Sequence, residues 1–295
     1  MRLNGKLAVI TGGTRGVGAG IARAFIEAGA EVVTCARHPP EVPLKGAEFA
    51  PLDVRDPDAV HRFFAELPRV DVLVNNAGGT PYRPLTGTGT GAGTGAGTED
   101  ATATATATDA RRHARVIELN LTAPLTVSLA AHAHLRRARG AIVMIGSVSG
   151  SRPSPGSAAY GAAKAGLEHL ARTMAVEWAP EIRVNTLVLG MVRTELSHLH
   201  YGDDHGIAAV ARTVPLGRLA DPSDVGDAAV FLASEAAAYI TGASLLVHGG
   251  GEHPAFLDAA TANREQTTAG THKEKTADTD EDKTADADKE KGDPR

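Results

Sequence analysis

A single α/β domain with a parallel, doubly wound sheet is the fold class that three features of this chain predict. Seven short apolar runs recur along it, longer segments of helical spacing separate most of them, and the first run passes directly into a glycine-rich turn. The runs are KLAVIT (6–11), AEVVTC (30–35), AEFAPL (47–52), DVLVNN (71–76), GAIVMI (140–145), IRVNTLVL (182–189) and SLLVHG (244–249). Their apolarity is continuous and not alternating, which suggests strands covered on both faces. GVGAGIARAFIEAG (16–29) and DPDAVHRFFAEL (56–67) carry the helical spacing between them. Strand, helix, strand, repeated in this way, gives right-handed crossovers and helices on both faces of a seven-stranded sheet.

Composition narrows the function classes. The chain has 295 residues, 42% of them hydrophobic, enough for one large core, and a formal net charge of −5 that partly reflects an acidic tail. A balance of that kind offers no basic field, so nucleic acid and anionic membrane are not expected as partners. Cys35 is the only cysteine, which excludes an internal disulfide and a cysteine-cluster metal site and suits a reducing compartment. The start, MRLNGKLAVITGG, has too short an apolar run for a signal peptide or a spanning helix, so the expected location is the cytoplasm.

Two segments depart from the strand and helix rhythm. TGTGTGAGTGAGTEDATATATAT (86–108) is nearly all Gly, Thr and Ala, offers little to bury, and reads as a disordered insertion. The stretch 258–295 is rich in Asp, Glu, Lys, Thr and Ala and reads as a disordered charged tail, which leaves 1–257 as the folded domain.

The turn after the first run is TGGTRGVG (11–18), and an apolar-periodic helix follows it. Gly12, Gly16 and Gly18 permit a tight turn, close approach of backbone N–H groups to a pyrophosphate, and close helix packing. The helix N-terminus adds partial positive charge, so the turn points to dinucleotide binding. Here the chain resembles the short-chain dehydrogenase/reductase family, whose glycine pattern is TGxxxGxG. Further marks appear in order: Asp53 and Val54, NNAG at 75–78, Asn120 in ELNL, Ser147 in MIGSVSG, and YGAAK at 160–164. Ser147 precedes Tyr160 by thirteen residues, and the resemblance covers about residues 4–253.

The resemblance implies a Rossmann-type, doubly wound, seven-stranded parallel sheet and a dinucleotide held by Thr11, Gly12, Thr14, Arg15, Gly16, Val17 and Gly18. It implies that Asp53 and Val54 hold the adenine ring, and that Asn76, Ala77 and Gly78 wall the riboses. It also places Gly190, Val192 and Thr194 near the nicotinamide, with Tyr160 and Lys164 contacting the cofactor. Which dinucleotide is a matter of charge. An NAD site usually ends the second strand with a carboxylate for the ribose 2′-OH, and that carboxylate repels a 2′-phosphate. Here the acidic position reads as Ala36, followed by Arg37, with Arg15 on the same side in the family, so NADP(H) is favoured over NAD(H).

Residues four apart share a helix face, so Tyr160 and Lys164 can both point into one cleft. A free phenol titrates near 10, and proton transfer near neutrality asks for about 4 kcal/mol of preferential phenolate stabilisation. A neighbouring ammonium together with an oxidised nicotinamide is expected to supply it and bring the Tyr160 pKa down. Ser147 is expected to bond the substrate oxygen. Asn120 is followed four residues later by Pro124, which has no N–H, so inside a helix the Asn120 carbonyl loses its usual partner and can bind a water; the resemblance implies that this water leads to Lys164 as a proton relay. That relay completes the candidate catalytic set of Asn120, Ser147, Tyr160 and Lys164.

Some features leave alternatives open. Leu189-Gly190 stands where the family usually has Pro-Gly, which should loosen the approach to the substrate loop. HLHYGDDHG (198–206) reads as substrate-pocket residues or solvated loop; no metal site is expected there. HAHLRRAR (132–139) is a charged helix end or a patch for an acidic carrier or coenzyme A. The small residues around Tyr160 permit packing against a second copy, so a homodimer or homotetramer is expected. The chain thus reads as an oxidoreductase acting on a small-molecule ketone, aldehyde or alcohol, with a 3-oxoacyl thioester reductase or a non-catalytic nucleotide-sensing scaffold as alternatives.

Overall fold

The computed structural model describes residues 1–79, 81–82, 84–85 and 99–260. Its contacts divide the chain into Met1–Gly251 and Glu252–Arg295, a boundary six residues before the one expected. In the second unit the described part is a short helix, Ala255–Ala259.

All seven apolar runs form strands: β1 Leu7–Thr11, β2 Glu31–Ala36, β3 Ala47–Pro51, β4 Val72–Asn75, β5 Ala141–Ser147, β6 Arg183–Leu189 and β7 Ser244–Val247. They make one sheet in the order β3-β2-β1-β4-β5-β6-β7, and every pairing is parallel. The chain winds outward from β1 through β2 and β3, returns to lay β4 beside β1, and continues the other way. The order reverses between β1 and β4, and at such a point the loops leaving adjacent strands part and open a crevice at their carboxyl ends.

Helices α1 Gly16–Glu27, α2 Pro57–Glu66, α3 Glu99–Ile117, α4 Ala123–Ala138, α5 Ala158–Glu177, α6 His198–Tyr201, α7 Asp204–Ala211 and α8 Pro222–Ala233 connect the strands. Successive strand residues sort onto opposite faces. Leu7, Val9, Leu73, Ile142, Met144 and Val184 pack with Val60 and Phe64 of α2, Val127 and Leu135 of α4, and Leu167 and Met174 of α5. Ala8, Ile10, Val72, Val74, Val143 and Ile145 pack with Ile21 and Phe25 of α1 and Val225 and Leu232 of α8. This two-sided burial explains the unbroken apolar runs. It fails at the margins: β3 is only partly covered, and β7 leaves Leu245 and Leu246 at 37% and 56% exposure, because an edge strand has a neighbour on one side only.

The low-complexity insertion ends earlier than its composition suggests. Residues 86–98 lie outside the described residues, but from Glu99 the chain is helical, so 99–108 belong to α3 and not to a disordered loop. Alanine is the strongest helix former, and this stretch runs straight into the helical segment that ends at Ile117. The expected tail is outside the described residues from 261 onward.

Glycine sets the spacing on the α1 side. A methyl group at Gly20 would lie 2.6 Å from the backbone carbon and oxygen of Pro222, so α1 and α8 touch backbone to backbone. Gly20→Ala should therefore destabilise the chain by about 1–3 kcal/mol in urea unfolding, as overpacking, despite the better helix propensity of alanine.

Candidate active site

The crevice at the reversal is held together by one hydroxyl. Thr11, 2% exposed at the end of β1, accepts hydrogen bonds at 3.0 Å from the backbone N–H groups of both Asn76 and Ala77. The Asn76 amide in turn donates to the carbonyls of Thr11 and Gly12 at 2.9 and 3.1 Å. The glycine turn is thus bound to the NNAG turn that leaves β4. Gly12 has a φ of +65°, and a methyl there would stand 3.0 Å from Ala77 Cα. At Gly18 a methyl would fall 2.5 Å from the Asn76 amide nitrogen, so α1 starts in direct contact with the turn.

Beside it the four candidate catalytic positions converge, Ser147 from the end of β5, Asn120 from the helical segment before α4, and Tyr160 and Lys164 from α5. The helical segment widens to a π-turn over Glu118–Thr122, with the Ala123 N–H donating to the Glu118 carbonyl, and Asn120 at its centre is fully buried. Its side chain grips Gly79 from both sides: Oδ1 accepts from the Gly79 N–H and Nδ2 donates to the Gly79 carbonyl, each at 2.9 Å, while Nδ2 also reaches the Val116 carbonyl. A methyl at Gly78 would be 2.7 Å from Asn120 Oδ1 and 3.4 Å from Lys164 Nζ, so these two side chains approach each other over that glycine.

Ser147 is the last residue of β5, and its Oγ accepts from the Ser149 N–H at 3.2 Å to start the turn Val148–Gly150. Helix α5 lies on that turn through its small residues. A methyl at Gly161 would be 2.6 Å from the Ser149 carbonyl, and one at Gly150 would be 2.8 Å from the Ala165 nitrogen. Gly161 therefore brings Tyr160 close enough to Ser147 for the serine hydroxyl to act on the phenol. The small residues of YGAAK that seemed available for a second copy are in part consumed inside the fold: Gly161 and Ala163 are buried.

In the chain alone, burial comes first in setting the charge of this cluster. Burial pushes the Tyr160 phenol above its ordinary value, the Ser147 hydroxyl lowers it less, and nearby Tyr201 raises it further. Lys164 is not among the causes. Its Nζ lies 5.5 Å from the Tyr160 ring centroid and donates to the Ile145 carbonyl at 2.7 Å, and burial drives its own pKa down from 10.5 to about 8. With few partners in a dry pocket, desolvation outweighs the attraction that spacing alone suggested.

Around the glycine turn, Arg15 and Arg37 are exposed and Ala36 ends β2, so no carboxylate stands at that position. Val54 is buried, whereas Asp53 is engaged by a residue the sequence reading missed. Arg55 forks onto it with Nε at 3.0 Å and Nη2 at 2.6 Å, and the Arg55 N–H donates to the same carboxylate. That fork, with a further contribution from Arg37, holds the Asp53 carboxyl below the usual range. A charged residue two positions after a strand-end Asp was the available signal. Thr14 and Val17 are partly buried in the turn itself.

The loop after β6 is tighter than Leu189 implied. Leu189 pairs with Ser147 on one side and Val247 on the other, and the Gly190 N–H donates to the Val247 carbonyl at 3.0 Å. An N–H at Leu189, which proline lacks, lets the ladder run to the end. Val192 then bridges to Ala220, with the Arg193 N–H donating to the Ala220 carbonyl, before the Thr194 N–H donates to Ser197 Oγ at 2.8 Å. Tyr201 of the HLHYGDDHG segment approaches Tyr160, and among the described residues no group of three His, Cys, Asp or Glu side chains is placed to hold a metal. The HAHLRRAR patch ends α4 just before the first residue of β5, at the opposite end of the sheet from Ser147. It is remote from the cluster.

Lys164 is charged in both the folded and the unfolded chain at pH 7, and only the folded chain bears the desolvation. Above about 8 the folded chain releases the proton while the unfolded chain keeps it towards 10.5, so the cost shrinks across that window. Lys164→Met should raise stability at pH 7 by about 2 kcal/mol, the desolvation recovered less the lost bond to Ile145, and the gain should fade between about pH 8 and 10.5 in thermal melts.

Comparison with known proteins agrees with this architecture. A family model described as Enoyl-(Acyl carrier protein) reductase, adh_short_C2, matches residues 12–252. The L-fucose dehydrogenase of Oryctolagus cuniculus is 36% identical over 270 residues, covering 85% of this chain and 86% of its own. The 3-oxoacyl-(acyl-carrier-protein) reductase FabG of Vibrio cholerae is 32% identical, covering 85% of this chain and 98% of its own. Among solved structures, the Pseudomonas aeruginosa RhlG/NADP active-site complex superposes with a TM-score of 0.69 at 27% identity, covering 84% of this chain and 97% of that one. No described helix is long and apolar enough to cross a membrane. With its seven-stranded parallel sheet and these relatives, the chain belongs to the short-chain dehydrogenase/reductase family and is an oxidoreductase acting on CH–OH or C=O groups.

Proposed function

We propose that this enzyme is NADP(H)-dependent and interconverts a ketone or aldehyde with the corresponding alcohol, with Tyr160 as general acid and base. The observation that carries the reading is the meeting at one end of the sheet of Ser147, Tyr160 close beside it, and Lys164, buried four residues further on the same helix with its Nζ 5.5 Å from the Tyr160 ring centroid.

The residues present fit a dinucleotide. Gly12, Gly13 and Gly18 leave the turn without side-chain bulk, since a methyl at any of them would collide with Ala77, Thr34 or Asn76. The 2′-phosphate is assigned to Arg15 and Arg37, whose exposed guanidiniums suit a bidentate contact. Val54 and Asp53 are assigned to the adenine, with Asp53 restrained by Arg55. Asn76, Ala77 and Gly78 are assigned to the riboses, and Gly190, Val192 and Thr194 to the nicotinamide side. When bound, the reduced nicotinamide supplies hydride to the carbonyl carbon.

The residues of the chain then handle the proton. Ser147 donates to the substrate oxygen and Tyr160 delivers its phenolic proton to it. A phenol whose pKa burial has raised is protonated at neutral pH, and that state serves carbonyl reduction. Lys164, largely an ammonium below about 8, offsets the phenolate that results. Asn120 positions Gly79, and its carbonyl, facing a proline four residues on, is offered to a water on the way to Lys164. A 3-oxoacyl thioester substrate is the second reading, favoured by the FabG relative. A homodimer or homotetramer in the cytoplasm is the setting we infer, supported by the exposed leucines of edge strand β7.

Tyr160→Phe should lower NADPH-dependent reduction of a ketone panel by about 10²–10⁴-fold in kcat while leaving NADPH affinity nearly unchanged, and full activity in that variant would remove Tyr160 from the proton step. Ala36→Asp should weaken NADPH binding by about tenfold or more and leave NADH binding equal or tighter; equal loss of both cofactors would count against the 2′-phosphate assignment.

A further inference from the structure

The dinucleotide turn already holds an anion from the chain itself. Glu195, in the loop after β6, accepts a hydrogen bond from the Gly16 N–H on its Oε1 at 2.9 Å, across 179 positions of sequence. Gly16 is the first residue of α1, a helix of 12 residues whose own first turn contains no acidic side chain and whose N-cap, Arg15, makes no side-chain cap. Glu195 thus provides the negative charge that a helix N-terminus favours. The contact is broad: a methyl at Gly16 would lie 3.4 Å from Thr194 Cγ2 and 3.9 Å from Glu195 Oε2, so two consecutive loop residues rest on the turn. Thr194 is itself held, its N–H bonded to the Oγ of buried Ser197 and its Oγ1 taking the Leu196 N–H at 3.3 Å.

We propose that Glu195 competes with the cofactor pyrophosphate for the start of α1, so that dinucleotide binding must displace this carboxylate and the loop that carries it. The inference rests on the dinucleotide reading of the turn. The Gly16 N–H has one proton to donate, and a pyrophosphate bound at the head of α1 would share with the carboxylate a space of a few ångströms where like charges repel. The cost is reciprocal: whatever affinity Glu195 has for the turn is subtracted from that of the cofactor. Because α6 begins at His198, three residues after Glu195, the same exchange links cofactor occupancy to the segment that brings Tyr201 towards Tyr160.

The test is calorimetric titration of NADPH and of NADH into the full chain, the Glu195→Gln and Glu195→Ala variants, and Glu66→Gln, an exposed carboxylate at the far end of α2. Both Glu195 variants should bind about 5- to 30-fold more tightly than the unaltered chain, and Glu66→Gln should not differ from it. Affinity in Glu195→Gln equal to or weaker than that of the unaltered chain would overturn the proposal, the first outcome making Glu195 a plain helix cap and the second a latch over bound cofactor. An unaltered chain that binds neither dinucleotide would remove the reading of the turn, and this inference with it.

Discussion

Everything at the carboxyl end of the sheet depends on the Thr11 hydroxyl. A parallel sheet that reverses its order leaves two adjacent loops free to diverge, and the space between them has no fixed shape unless something ties their bases. Thr11 does so with one oxygen, accepting from two successive N–H groups of the turn leaving β4. From that tie the order propagates: Asn76 reaches back to the glycine turn, Gly79 is taken by Asn120, and Gly78 receives Lys164. The geometry of the cluster is therefore inherited from hydrogen bonds between neutral side chains and the backbone more than from contacts among its charged members.

Desolvation, more than attraction, sets the electrostatics there. Lys164 and Tyr160 are neighbours on one helix, yet each is shifted by burial first, the lysine towards its neutral form and the phenol towards its protonated form. Both shifts lower the charge the folded chain must carry in a dry pocket. The site is thus poised against charge separation, and the developing oxyanion of a substrate would meet hydroxyl donors before it meets a full cation.

Much of this was legible in the sequence because periodicity and glycine placement report on backbone geometry. Seven apolar runs became seven strands, and TGGTRGVG, NNAG and YGAAK lie together at one end of them. What was not legible depends on three-dimensional neighbours. The direction of the Tyr160 shift follows from how dry its pocket is, which spacing does not encode. The Arg55 fork on Asp53 and the seating of Leu189 between two strands are matters of rotamer and ladder. The composition of 99–108 offers little to bury, but the backbone preference of its alanines for helix is the stronger fact.

Gly78 carries a consequence for how such a site can change. Its missing methyl is the volume over which Asn120 and Lys164 come together, so a side chain there would push apart both the amide that fixes Gly79 and the ammonium beside Tyr160. Neither partner can be exchanged for a bulkier one while the others stay, and enlarging the glycine first disrupts both at once. The three positions form a unit that substitution one residue at a time does not improve. Variation in what the enzyme accepts is left to the loops around the crevice, where a change touches the substrate without passing through this knot.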